Sequence, residues 1–299
     1  MSNAAGTSAP PGNIWVLGAR PRTLPAAVVP VAVGTACAAG LDDSVWWRGA
    51  LSLIVSLALQ VGVNYANDYS DGIRGTDDVR VGPLRLVASK LASPKAVKTA
   101  AFTAFGVAAV AGLILALVTS LWLLVVGAAA LLAGWFYTGG PKPYGYLGLG
   151  ELFVFVFFGL VATMGTTYVI AEQITGLSIL MGCGVGALAC ALLVINNLRD
   201  IPTDREVGKK TLAVRLGDGR TRTMYTVLVG GAFVIAVVAA VVWRPLTAIA
   251  AVAIPLAIVP IRLVRSGANG RDLIAVLGAT GKVQLAFGLL TTIGLILSR

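Results

Sequence analysis

Histidine is absent from the 299 residues. This removes imidazole acid–base chemistry and histidine–metal ligation. Any metal must then be held by carboxylate, amide or water oxygen, donors that suit hard ions such as magnesium. Cysteine is scarce. Cys37, Cys183 and Cys190 lie in apolar runs and form no C-x-x-C pair, which argues against a disulfide framework or a zinc site and for small packing residues. Charge is scarce too: Asp, Glu, Lys and Arg make up 12% of the chain, where a soluble domain carries about a quarter. With 57% hydrophobic residues and a mean hydropathy of +0.87, the solvent of most of this surface is lipid. The segment Met1 to Gly12 has no Lys or Arg. It therefore lacks the positive start of a signal peptide, and residues 1–19 are expected to be a flexible cytoplasmic tail.

What the chain does have is long apolar runs. A spanning helix needs about 20 of them in a row, and about nine windows qualify: 22–40, 48–66, 96–117, 120–137, 150–171, 176–197, 223–243, 245–264 and 274–297. Nine spans sort the charges. Nineteen of the 23 Lys and Arg fall on the side of the N-terminus, and only Arg48, Arg244 and Arg299 flank the other; Lys282 lies inside the last span. The positive-inside rule then puts the N-terminus in the cytoplasm and the C-terminus outside. It also explains the net charge of +10 without nucleic acid as a partner. The expectation is an all-α membrane protein, a single transmembrane domain over 20–299 with a helix bundle around a central cavity.

The acids are concentrated. The second span ends in Asn64-Tyr65-Ala66-Asn67-Asp68-Tyr69-Ser70-Asp71, followed by Asp77 and Asp78; the sixth ends in Asn196-Asn197-Leu198-Arg199-Asp200-Ile201-Pro202-Thr203-Asp204. Together with Glu206 these hold seven of the 13 acids of the chain. Residues three or four apart share a helix face, so Asn64, Asp68 and Asp71 form one stripe and Asn196, Asp200 and Asp204 another; Asp77 belongs to the loop. The shared N-x-x-x-D pattern, at 64–78 and 196–206, reads as a pseudo-repeat that brings two stripes face to face at the cytoplasmic mouth. Clustered carboxylates repel one another, and a divalent cation relieves that repulsion. Magnesium is commonly held by one or two carboxylates together with phosphate oxygens of a substrate, so two stripes can grip a diphosphate from both sides. Basic residues in the same loops, such as Arg74, Arg85, Lys209 and Lys210, would neutralise the rest of its charge.

At these residues the chain resembles the UbiA-type intramembrane aromatic prenyltransferases, with an N-D-x-x-D motif at Asn67–Asp71 and a D-x-x-x-D motif at Asp200–Asp204. The likeness extends from about Arg20 onward. Four segments are similar to the branch that acts on 1,4-dihydroxy-2-naphthoate in menaquinone biosynthesis: Arg20–Pro25, Asn67 to Arg85, Tyr137 through Lys142 to Glu151, and Asn196 through Lys209 to Gly217. The resemblance implies a polyprenyl diphosphate donor, an aromatic acceptor and loss of carbon dioxide, in a multi-pass protein of the cell membrane with its site facing the cytoplasm. On this reading Asp68, Asp71, Asp200 and Asp204 are the magnesium ligands, and Asn64, Asn67 and Asn196 orient them. Arg22, Arg85, Lys142 and Lys209 contact the diphosphate. Tyr137, and more weakly Tyr69, would face a developing carbocation. The competing readings are another acceptor such as 4-hydroxybenzoate, a lipid or anion transporter, and a scaffold. A transporter places its polar site in broken helices near the midplane, whereas these acids lie at one surface; a scaffold needs neither acidic motif.

Overall fold

The computed structural model describes residues 12–76 and 84–299, so Asp77 and Asp78 lie outside the described residues. Among the described residues there is no strand. Eleven helices follow in chain order: α1 (Ile14–Ala19), α2 (Pro25–Ala38), α3 (Trp47–Ile73), α4 (Pro94–Val118), α5 (Trp122–Phe136), α6 (Gly150–Ala171), α7 (Gly176–Glu206), α8 (Leu212–Leu216), α9 (Asp218–Val242), α10 (Pro245–Arg265) and α11 (Asp272–Leu297). Seven of them, α3, α4, α6, α7, α9, α10 and α11, are long and apolar enough to cross a membrane. The expected first and fourth spans correspond to α2 and α5, which have 14 and 15 helical residues. At 1.5 Å per residue each reaches about 21–23 Å, short of a bilayer core of about 30 Å.

Local sequence explains the helix ends. Ser93 caps α4 by accepting from the Ala96 amide, with Pro94 in the first turn, and Thr175 and Ser178 form a reciprocal capping box at the start of α7. Residues Ile14–Ala19, expected as tail, are helical. The Tyr65 hydroxyl donates to the Trp15 carbonyl at 2.6 Å, which docks α1 on α3.

The central helix is α7. Its apolar stretch is 72% buried, against 33–44% for the other long helices. The main core gathers Met181, Leu188 and Ile195 of α7 with Tyr225 of α9 and Phe287 of α11. No hydrophobic force drives helices together in lipid, so close approach depends on small residues. A Cβ added to Gly159 of α6 would stand 2.5 Å from the Gly186 Cα and 2.7 Å from the Gly182 carbonyl of α7. At that seam α6 widens into a π-helical stretch, Phe155–Val161, a feature often found beside functional sites. The outward faces are apolar, as at Trp122 and Val241, and fit a lipid environment.

Candidate active site

The helices enclose a cavity of about 1470 Å³. One end is polar and lies where α3 and α7 finish; the rest is mostly apolar, with Lys282 on its α11 wall. The residues of α3 that line it repeat every three or four positions: Leu59, Gln60, Val63, Asn64, Asn67 and Asp71. On α7 the series is Leu192, Leu193, Asn196, Asn197, Asp200 and Asp204. Asn64 and Asp71 of the first expected stripe and Asn196, Asp200 and Asp204 of the second thus border one space, while Asp68 does not.

Asp71 is the hub. Its Oδ1 accepts from the Tyr146 hydroxyl at 2.6 Å and lies 3.5 Å from Lys209 Nζ; its Oδ2 lies 3.8 Å from Arg85. The Lys209 ammonium is 4.5 Å above the Tyr146 ring and the Arg74 guanidinium 5.6 Å from it. Burial first, then the Asp71 carboxylate, pushes the Tyr146 phenol well above its ordinary range, so it stays a donor. Asp200 makes a two-pronged contact with Arg199, at 2.6 and 2.8 Å. The Arg199 side chain is 1% exposed.

Loops complete the mouth. The Lys210 amide donates to the Tyr146 carbonyl at 2.9 Å and the Lys209 amide to the Asp204 carbonyl at 2.8 Å. Arg74 donates to the Thr138 and Gly140 carbonyls. Asn67 accepts from the Thr138 hydroxyl at 2.8 Å. Asn64 donates to the Ala19 carbonyl at 2.8 Å and the Thr23 hydroxyl at 2.9 Å, tying α3 to the segment that carries Arg20 and Arg22. From the mouth inward runs an aromatic wall: Tyr137 meets Tyr144 edge-on at 5.6 Å, Tyr144 stacks on Phe153 at 4.0 Å, and Phe153 on Phe157 at 6.0 Å. All four line the cavity.

Of the expected site residues, Asp71, Asp200, Asp204, Asn64, Asn67, Asn196, Arg22, Arg85, Lys209 and Tyr137 share this cavity. Asp68 and Lys142 do not line it. The Asp68 carboxylate is fully buried and accepts from the Leu86 amide at 2.8 Å and the Val87 amide at 3.0 Å, fastening the loop that carries Arg85. Lys142 is exposed. Tyr69 stacks on Trp135 instead. The sequence reading missed Tyr146 and the Arg199 clamp. Lys209 and Asp71 lie far apart in sequence and fix Tyr146 only after folding, and Arg199 reads from sequence as one more cytoplasmic charge.

Could these residues hold a metal? The donors facing the cavity are all oxygens, Asp71 on α3 and Asp200 and Asp204 on α7. Among the described residues no three carboxylates, thiols or imidazoles form a ready-made cage. Donors split between two helices suit a hard divalent ion that completes its shell from substrate phosphate.

Comparison with known proteins agrees with this geometry. The family model described as the UbiA prenyltransferase family matches residues 27–297. The 1,4-dihydroxy-2-naphthoate octaprenyltransferase of Mycobacterium tuberculosis is 54% identical over 275 residues, covering 92% of this chain and 94% of that protein. The enzyme of that name from Escherichia coli is 39% identical over 234 residues, covering 74% of each. Among solved structures, the apo UbiA homolog from Aeropyrum pernix K1 superposes with a TM-score of 0.71 at 14% identity, over 91% of this chain and 97% of that one. The UbiA homolog from Archaeoglobus fulgidus bound to GPP and Mg2+ gives a TM-score of 0.63 at 13% identity, over 94% and 100%. The fold, the paired acidic motifs and the family match converge: this chain belongs to the UbiA prenyltransferase family.

Proposed function

We propose that the chain transfers a polyprenyl group from polyprenyl diphosphate to 1,4-dihydroxy-2-naphthoate, releasing diphosphate and carbon dioxide and giving the hydroquinone demethylmenaquinol, which a separate two-electron oxidation turns into demethylmenaquinone. The observation that carries this is a single cavity with two acidic motifs and several cations at one end and an apolar, aromatic-lined interior beyond. A prenyl diphosphate has the same division. The names of the relatives at 54% and 39% identity support the naphthoate as acceptor.

Asp71, Asp200 and Asp204, with Asp68 at the back of the same motif, would hold a divalent metal, and magnesium suits their oxygen-only set. When bound, the metal would neutralise charge on the leaving diphosphate. Asn64, Asn67 and Asn196 orient the carboxylates. Arg22, Arg85, Lys209 and Lys142 contact the diphosphate as it enters or leaves, and fixed charges in a site closed to bulk water are effective at this. The allylic C–O bond breaks with its electron pair on the diphosphate oxygen. The faces of Tyr137 and its aromatic neighbours stabilise the positive charge at C1 of the tail. The electron-rich ring carbon that bears the carboxylate bonds to C1, and its bond to the carboxylate breaks, the electron pair restoring aromaticity as carbon dioxide leaves.

Residues 20–299 act as one transmembrane unit that crosses the cell membrane nine times, α2 and α5 included, with the N-terminus and the cavity mouth cytoplasmic. The placement of 19 of 23 basic residues supports this. The test is turnover of the purified protein with labelled polyprenyl diphosphate and the naphthoate, with and without magnesium, following lipid-soluble label and carbon dioxide. Magnesium-dependent product with carbon dioxide release is expected. Product with 4-hydroxybenzoate but not with the naphthoate would overturn the acceptor.

A further inference from the structure

Lys282 stands ten residues into α11, about 15 Å along the helix and so near the middle of a bilayer core. A lysine at such depth either snorkels to an interface or faces an interior partner. Lys282 lines the cavity and is exposed between the buried Gly281 and Val283. Among the described residues it has no hydrogen bond, ion pair or ring contact. The cations Arg85 and Lys209 gather on Asp71; among the described residues Lys282 has no carboxylate within ion-pair reach.

Its surroundings fit a flat ring. Gly278 and Gly281 lie on the same wall, and a Cβ added to either would meet nothing within 4 Å. Leu277 and Leu285 flank them. The result is an apolar wall with room beside it and one positive charge. The cavity as a whole is charge-imbalanced: among the described residues five bases, Arg20, Arg22, Arg85, Lys209 and Lys282, and three acids, Asp71, Asp200 and Asp204, line it. An anionic ligand would offset that excess.

We infer that Lys282 binds the carboxylate of the aromatic acceptor, and so selects a ring that carries an acid; this rests on the prenyl-transfer reading above. The ammonium pairs with the ring carboxylate and holds it ionised, while the ring lies against Gly278 and Gly281 with its electron-rich carbon toward C1 of the donor.

The experiment measures turnover by wild type, Lys282→Met and Lys282→Arg in vesicles of zwitterionic lipid. The naphthoate is varied at saturating donor, then donor at saturating naphthoate, then 1,4-dihydroxynaphthalene, which lacks the carboxylate, is used as acceptor. Losing a charge-assisted contact should raise the naphthoate KM of Lys282→Met about 10-fold or more, with the donor KM unchanged. Lys282→Arg should stay near wild type, and the wild-type preference for the carboxylated ring should collapse in Lys282→Met. A rise confined to the donor KM would assign Lys282 to the diphosphate. A defect seen only when anionic lipid replaces zwitterionic lipid would assign it to a headgroup. Either overturns the inference, as does an unchanged naphthoate KM. Quenching of tryptophan fluorescence by the naphthoate separates the two claims. Wild type that binds it without making product sinks the proposed function, whereas Lys282→Met that binds it as tightly as wild type sinks the role of Lys282.

Discussion

The Tyr146 hydroxyl donates to Asp71 Oδ1 at 2.6 Å, and the Lys209 ammonium beside the same oxygen sits 4.5 Å above the Tyr146 ring. One phenol thus sets both an acid and a base of the site. Tyr146→Phe keeps the ring and removes the hydrogen bond. A hydrogen bond to a charged group contributes about 1.5–3 kcal/mol, so turnover should fall on the order of 10-fold, with a higher magnesium requirement. A magnesium titration of both proteins checks this. The sign of the pH effect follows from the raised phenol value: the contact is complete below the ordinary tyrosine value of 10.0 and is lost only as pH rises through the raised one. Tyr146 should therefore cause no loss of activity between neutrality and that value.

Asp68 and Asp200 should fail differently. Alanine at either is expected to abolish turnover. Asp68→Ala also leaves the Leu86 and Val87 amides without their acceptor, at a cost of roughly 1–3 kcal/mol for a buried unsatisfied group. Thermal unfolding in detergent should show a lower Tm for Asp68→Ala than for wild type. Near wild-type turnover by Asp200→Ala with magnesium present would end its assignment as a ligand.

Gly159→Ala tests the seam of α6 and α7. The added methyl meets backbone rather than a movable side chain, so the helices must part. Overpacking of this kind costs about 1–3 kcal/mol. A reduced Tm is expected, and reduced turnover with it, because Phe157 in the same π-helical stretch belongs to the cavity wall.

Chelation with EDTA should abolish product formation, and added magnesium should restore it. Manganese, another ion that accepts oxygen ligands, should substitute in part. Activity that survives exhaustive chelation would remove the metal from the mechanism.

The helical bundle and the site's location were legible because lipid forces long apolar runs and the few acids cluster at two of their ends. Side-chain direction was less so. A spacing of three or four admits both 64–68–71 and 60–64–67–71 as a face of α3. The structure turns Asn67 into the cavity and Asp68 away from it, because the loop at Leu86 and Val87 supplies two amides to Asp68. Hydropathy did not show that the helical parts of α2 and α5 are only 14 and 15 residues long, since it cannot see where a backbone leaves the helix. Tyr146 was invisible because both its partners come from other parts of the chain.

The Arg199 clamp on Asp200, with Arg85 and Lys209 on Asp71, has a kinetic consequence. Each of these acids already has a cationic companion, so a bare magnesium ion gains little by entering alone. A diphosphate arriving with its metal would offer Arg85 and Lys209, which line the cavity, a new anion while handing the carboxylates a new cation, an exchange of partners in both directions. The donor and its metal should then load as one unit, and the enzyme's pace should follow the supply of prenyl donor more closely than swings in free magnesium.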